Sequence, residues 1–320
     1  MKSLLLLRNI QIENANAIAG LTYGFPAISH FLGFSHALSR QLQQEHGIQL
    51  GGCAVICHDY QVCAYQLTRN ADFTFTQTRN PLTKEAKSPP FVEEGRMHLE
   101  VSLLIECDFT VNDFDFGTGE AQADIALFEA AILQKVLRQK LAGGSILALR
   151  RHKPVSFIRL PDDSEDIERL RRKLTRQLMP GFALVQRSDL LAAHCQQLQT
   201  SHANTETIDA LLDFVAYKEV AQEADANGKV QWRHLPKPAD GWLVPIYIGF
   251  QAISPLYAAG SVANARDKET PFRLVESLYS LGEWLGPHRI TELEQFFWRY
   301  RVEGERYLCH NNYQSSDTND

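Results

Sequence analysis

The chain lacks a cationic excess: 32 Lys and Arg stand against 38 Asp and Glu, a formal net charge of −6 at pH 7. Long-range attraction to a polyanion is therefore missing, and any nucleic-acid role must rest on a local basic surface or on partner subunits. Neither a leader nor a membrane span is expected of the amino-terminal segment, because the apolar run Leu4–Leu7 is broken at Arg8 and is far too short for either. A cytoplasmic protein with no membrane partner is expected. Cysteine is sparse, and Cys53, Cys57, Cys63, Cys107, Cys195 and Cys309 include no C-x-x-C pair. They read as reduced, buried thiols, so neither a metal nor a cofactor is expected. His58, close to Cys53 and Cys57, sits in an alternating strand pattern that favours a structural role. No repeat of the solenoid kind is present.

What the chain does contain is 44% hydrophobic and 22% charged residues over 320 positions, enough for one large or two ordinary domains. Leu4–Ile12 reads as a strand, an apolar run passing into alternation. Residues 14–26 carry Asn, Gly and Pro and read as a loop. Ser29 is suited to capping a helix in which Phe31, Leu32, Phe34, Leu38 and Leu42 recur at helical spacing as far as about His46. Strands are expected over Cys53–Leu67 and Arg96–Cys107. Between them, residues 67–95 are polar and broken by prolines, which predicts a protruding insertion. Apolar positions from Ile125 to Leu137 predict a second helix over 121–141, and Ser145–Leu149 a fourth strand.

Strand, helix, strand, strand, helix, strand is the βαββαβ order of a ferredoxin-like fold. The expected fold class is thus α+β, with a ferredoxin-like domain over residues 1–153. A mixed, helix-rich region is expected over 154–303, with helices near 162–179, 188–199 and 207–219 and a strand near 242–250. The polar residues 304–320 read as a disordered tail.

Gly143-Gly144-Ser145 falls where the second helix hands over to the last strand. Such a turn exposes backbone N–H groups that can cradle a phosphate, and Arg150 and Arg151 follow. Across 138–176 eleven Lys or Arg face five Asp or Glu, a local charge of +6 in an acidic chain. The competing reading is a helix C-cap beside a solvated basic face. Because strand side chains alternate, Arg150 and Arg151 cannot share one face if the strand extends that far.

Several blocks resemble a known family. They are Leu21-Thr-Tyr-Gly-Phe-Pro26, Phe31–Leu38, Thr78–Leu82, Val92–Leu104, Leu141–Leu147, Leu174–Val185, Gly241–Pro245 and Ser254–Arg289. Taken in order they span nearly the whole chain, which resembles the Cas-five-type tail subunit, the second Csy protein, of type I-F CRISPR surveillance complexes. The resemblance implies a non-catalytic RNA-binding subunit that holds the 5′ handle of the CRISPR RNA. It also implies pairing with the large tail subunit, contact with the first backbone subunit, target double-stranded DNA met through the assembled complex, and a thumb at residues 67–95.

Candidate RNA contacts are then Gly143, Gly144, Ser145, Arg150 and Arg151, with Ser29 offering a helix N-terminus to a phosphate. Arg266 and Arg273 lie in the densest matching block, where a guanidinium offers a fork to phosphate and a face to a base; the alternative is an internal ion pair. Arg79 sits on the insertion, where solvated charge is the competing reading. Trp242 and Trp284 read as core or interface anchors, and Phe114, Phe116, Leu256 and Tyr257 as residues a partner could bury. The rival function is a metal-independent endoribonuclease that matures CRISPR RNA, for which His30, His36, His98, His152 and His288 supply acid or base groups.

Overall fold

The computed structural model describes residues 3–109, 121–223, 228–265 and 267–314. Arg266, Phe114 and Phe116 lie outside them. The long strands are β1 (Ser3–Asn16), β2 (Leu50–Val62), β3 (Arg96–Cys107), β4 (Gly144–Leu149), β5 (Val155–Arg159), β6 (Phe182–Gln186), β7 (Leu243–Ala252), β8 (Val275–Leu285), β9 (Trp298–Glu303) and β10 (Arg306–Asn311). The helices are α1 (Ile28–His46), α2 (Ala121–Leu137), α3 (Ser164–Leu178), α4 (Ser188–Ser201) and α5 (Thr207–Val215).

β1 is the spine of the molecule. β3 pairs along one edge of it, while β4 and β5 share the other edge end to end, with Ile10 opposite Leu149 and Leu5 opposite Phe157. Leu5 and Leu7 enter the core beneath α1 and α2, whereas Leu4 and Leu6 enter a second core beneath α3. The unbroken run Leu4–Leu7 is therefore a strand buried on both faces. At Asn9 the backbone takes φ 50° and the register with β3 shifts. The extra residue restores parity, so Ile10 and Ile12 stay on the same face as Leu5 and Leu7.

Antiparallel strands thus stand in the order β4, β1, β3, β2, with α1 and α2 on one face. α1 buries Phe31, Leu32, Phe34, Leu38 and Leu42, each contributing about 1.5–3 kcal/mol. Gly47, at φ 70°, ends it, its N–H bonded to the Gln43 carbonyl and that of Ile48 to Leu42. Ala27 holds the N-cap and no side chain caps the helix, so Ser29 lies inside the first turn instead of capping it.

The sheet continues through β6, β8, β7, β10 and β9, and Trp298 of β9 pairs back to Cys53 of β2. Six strands therefore close on themselves. α4 and α5 cover the outer side through Leu191, Ala210, Leu211 and Phe214 against Leu243 and Leu281. Short hairpins, Ala64–Gln66 with Phe73–Phe75 and Gln77–Thr78 with Val92–Glu93, build the projecting insertion.

Several expectations are corrected. α2 ends at Leu137, and Lys140–Leu141 is instead a short outermost strand paired to β4. The second half contains β5, β6, β8, β9 and β10, all missed by periodicity. Arg306–Asn311, expected to be disordered, is a strand bonded to both β7 and β9, because its alternate residues Cys309 and Asn311 are buried. Within the basic stretch, α3 is balanced internally, and the excess lies over residues 138–159. Arg169 pairs with Glu165 and Asp166, and Arg171 and Arg172 both grip Glu168, holding its carboxyl down to about 2.

Candidate nucleic-acid interface

The glycine pair performs two different tasks. Leu141 pairs with Gly144, which leaves Ala142 and Gly143 as a two-residue hairpin turn with φ values of 51° and 77°. Both central residues at positive φ match the right-handed twist of the strands they join. The turn is thus a hairpin and not the helix C-cap of the competing reading. A side chain at Gly143 would meet nothing within 4 Å, so its backbone is open to approach from outside. One at Gly144 would fall 2.6 Å from the Glu13 carbonyl and 2.8 Å from the Ala15 amide. Gly144 therefore lets β4 lie against β1.

The turn faces the first turns of α1 across a cleft of about 400 Å³, lined by Ser29, His30 and Gly33 on one side and Lys140 and Gly143 on the other. Two of the sequence candidates, Ser29 and Gly143, are thereby brought together. The helix N-terminus carries neither a capping side chain nor an acidic residue in its first turn, so its positive end is not compensated. Lys140 is exposed and makes no ion pair among the described residues. Burial lowers the pKa of His30, which is neutral near pH 7. Amide dipoles, a hydroxyl and one ammonium around a concavity suit an anionic oxygen.

The other candidates lie elsewhere. Ser145 is exposed on β4 one residue beyond the turn. Arg150 and Arg151 follow the end of β4, about 17 Å away at the rise of a strand. They belong to a bend and not to the strand, so alternation does not govern them. The Arg150 amide donates to the Asn9 carbonyl at 3.0 Å, and Arg151 Nε to Asn9 Oδ1 at 2.8 Å. Arg79, on the insertion, donates to Ser88 Oγ and lies over the Phe91 ring. Arg273 donates to the Ser254 carbonyl and to Glu305, the internal tie weighed above.

Among the described residues no two of the five histidines of the nuclease reading share a hydrogen bond. The buried thiols of Cys57, Cys107 and Cys309 are pushed up to about 12, chiefly by burial, which keeps them protonated and unreactive. No helix is long and apolar enough to cross a membrane among the described residues.

Sequence reasoning did not single out Lys140 as a wall of this cleft, although it abuts the Gly-rich turn. It also missed Arg8, whose strand position gave no sign that its guanidinium donates to the Gln177 carbonyl of α3 at 3.1 Å. A second concavity, walled by Tyr23, Tyr60, Phe182 and Trp242, joins segments too distant in the chain for spacing to reveal.

Residues 5–309 match the family model of the CRISPR-associated protein Cas_Csy2. The chain is also 39% identical, over 319 residues, to the CRISPR-associated protein Csy2 of Pseudomonas aeruginosa strain UCBPP-PA14, covering 96% of this chain and 94% of that protein. The chain belongs to the Csy2 family. It is accordingly a subunit of a type I-F CRISPR complex, the Csy complex. The Csy2 match runs through both the hairpin turn and the closed strand ring, so the cleft and the second concavity both fall within it.

Proposed function

We propose that this chain is a non-catalytic RNA-binding subunit that holds the 5′ handle of the CRISPR RNA and pairs with the large subunit at the tail of the complex. The cleft that joins Ser29, Lys140 and Gly143 at the uncapped end of α1 carries the reading. Ser145 on β4 and, past the end of that strand, Arg150 and Arg151 extend it, while Arg79, Arg266 and Arg273 are further contacts in the same proposal. The order β4, β1, β3, β2 with both helices on one face supports a ferredoxin-like domain over residues 1–153, followed by a second region over 154–303. In this reading the insertion is a thumb reaching the first backbone subunit, target DNA is met through the assembled complex, and the protein works in the cytoplasm.

The test measures affinity of the tail heterodimer for handle RNA at two salt concentrations. Lys140→Glu and Gly143→Asp are expected to weaken binding, and Lys140→Gln to reduce the salt slope by about 0.7 for the one lost cation. Unchanged affinity in all three variants overturns the handle reading. Incubation of repeat RNA without metal, leaving the RNA intact, is the expected result for a non-catalytic subunit.

A further inference from the structure

The bend that joins β4 to β5 is built on the bulge of β1 at Asn9. The Arg150 amide donates to the Asn9 carbonyl at 3.0 Å, and the Arg8 amide donates to the Pro154 carbonyl at 2.8 Å. Both ends of the exposed bend Arg150-Arg-His-Lys153 are thus pinned to two adjacent residues of β1. The rest of Asn9 is used as well. Its N–H donates to Ser102 Oγ at 2.9 Å, its Nδ2 to Glu100 at 2.6 Å, and its Oδ1 accepts Arg151 Nε at 2.8 Å. Asn9 and Ser102 are both buried, so a satisfied polar network under the bend fixes where Arg151 stands.

Arg8 shares the parity of Leu4 and Leu6, so its side chain leaves the sheet on the α3 face. Nη2 donates to the Gln177 carbonyl at 3.1 Å, in the last turn of α3, where the helix presents its negative end. Arg8 Nε is buried without a partner, and neither Arg8 nor Arg151 reaches a carboxylate within ion-pair distance among the described residues. The acid of this network, Glu100, is taken by Asn9 instead. His58 adds no charge, because burial lowers its pKa; its Nδ1 donates to the Pro180 carbonyl at 2.6 Å and its Nε2 accepts from Ser102 Oγ at 2.7 Å. No acidic residue stands anywhere between Arg138 and Arg159, and within the bend only Lys153 has an ion-pair partner, Glu129 at 3.3 Å. Two guanidinium groups fixed at one bulge and left without a counter-ion call for an anion.

We propose that Arg8 and Arg151 together hold one phosphate of the bound RNA strand, at a seat separate from the cleft of Lys140 and Gly143. A carboxylate of a protein partner is the other source of an anion, and the surface here argues against it. From residue 148 to residue 178 no large apolar side chain is exposed, whereas the centre of a protein interface is apolar and poor in charge. A nucleic-acid backbone asks only for cations and hydrogen-bond donors, and a guanidinium offers both in a planar fork. The cleft lies on the α1 face of the sheet and Arg8 on the α3 face. β4 is the margin between them, with only Lys140–Leu141 outside it, so one strand passing that margin meets both seats. The proposal rests on the RNA-binding reading and adds to it Arg8 as a contact and a second point of attachment.

The test uses the tail heterodimer and handle RNA in which one phosphate at a time is replaced by a neutral methylphosphonate. At the phosphate held by Arg8 and Arg151, the replacement should weaken binding by the unaltered protein and cause no further loss in Arg8→Gln or Arg151→Gln, whose charge partner is already gone. Each of those variants should lower the salt slope by about 0.7, and Arg8→Lys should keep most of it. Arg151 is exposed, so Arg151→Gln reads the seat even where Arg8→Gln fails to fold. Lys140→Gln should couple to a different phosphate. A phosphate coupled to Lys140 and none coupled to Arg8 or Arg151 overturns the second seat and leaves the handle reading standing. Coupling of Arg8, Arg151 and Lys140 to one and the same phosphate overturns the separation of the seats. Arg8→Gln and Arg151→Gln that shed the large subunit yet bind RNA like the unaltered protein assign the pair to a protein carboxylate, which overturns the seat too. No RNA binding by the unaltered heterodimer brings down both readings.

Discussion

The guanidinium of Arg299 meets the carboxylate of Glu106 with two hydrogen bonds across the seam where β9 returns to β2, Nε lying 2.9 Å from Oε2. Glu106 is buried, and the same Oε2 accepts the Gly52 amide at 2.7 Å. A side chain at Gly52 would fall 2.4 Å from that oxygen and 2.8 Å from the Trp298 carbonyl, so the position has to be glycine. The seam is thus a close approach of backbones locked by one ion pair.

Removing one partner of that lock should be costly. Glu106→Ala strands the Gly52 amide and leaves Arg299 with Glu294 alone, so a loss of about 2–4 kcal/mol is expected. Glu106→Gln keeps an acceptor for the amide and should lose less. Urea denaturation of both variants checks the order. Equal losses would show that the charge, and not the amide contact, dominates.

The two glycines of the hairpin turn should separate in the same measurement. Gly143→Ala puts a Cβ into open space at φ 77°, with a cost of about 1–2 kcal/mol for the left-handed conformation. Gly144→Ala drives a methyl into the backbone of Glu13 and Ala15, which cannot retreat without breaking the β1–β4 ladder. It should cost more than Gly143→Ala, and circular dichroism melts should rank the two accordingly.

Stability should fall as the medium is acidified from about pH 6.5 to 5. His30, His58 and His310 all have their pKa lowered, each chiefly by burial. The unfolded chain, with histidine pKa near 6.5, then binds protons that the folded chain refuses. Stability present above pH 6.5 is lost as pH falls through the folded values. Melting temperatures across that window check the direction, and His58→Gln should flatten part of the slope. A flat profile in the unaltered chain would contradict the burial argument.

How much of this was legible in the chain differs by region. α1 and β3 follow from apolar residues recurring at the periods of helix and strand, and the expected Arg96–Cys107 matches the observed strand. β5 was hidden because Val155–Arg159 is short and follows a basic bend, and β9 and β10 because half of their residues are Arg, Tyr, Glu and His facing outward. Periodicity sees one buried face, and it fails where a strand shows a polar face to solvent over few residues. The bulge at Asn9 left no mark either, since positive φ outside glycine has no compositional signature. At the site, the glycine turn was visible as a motif, but its meeting with Ser29 and the convergence of Tyr23, Phe182 and Trp242 are products of long-range pairing. The local charge of +6 belongs to residues 138–159, since α3 balances its own arginines with Glu165, Asp166 and Glu168 at helical spacing.

Trp298 offers the sharpest test of the closed strand ring. Its side chain is fully buried, its backbone pairs with Cys53 of β2, and its indole Nε1 donates to the Leu184 carbonyl of β6 at 2.7 Å. One residue therefore ties β9 to two strands on the other side of the sheet. Trp298→Ala should cost about 3–5 kcal/mol through the cavity it leaves. Trp298→Phe fills most of that space but strands the Leu184 carbonyl, for about 1–3 kcal/mol. Trp232, 65% exposed on its short hairpin, is the control, and Trp232→Ala should stay within about 0.5 kcal/mol. Hydrogen exchange distinguishes a local from a global effect. If the ring closes as described, Trp298→Ala removes protection from β9 and β10 before β1 and β3, whose ladder does not depend on the seam. Uniform loss of protection across all four strands would show that the ring and the β1 sheet unfold as one unit.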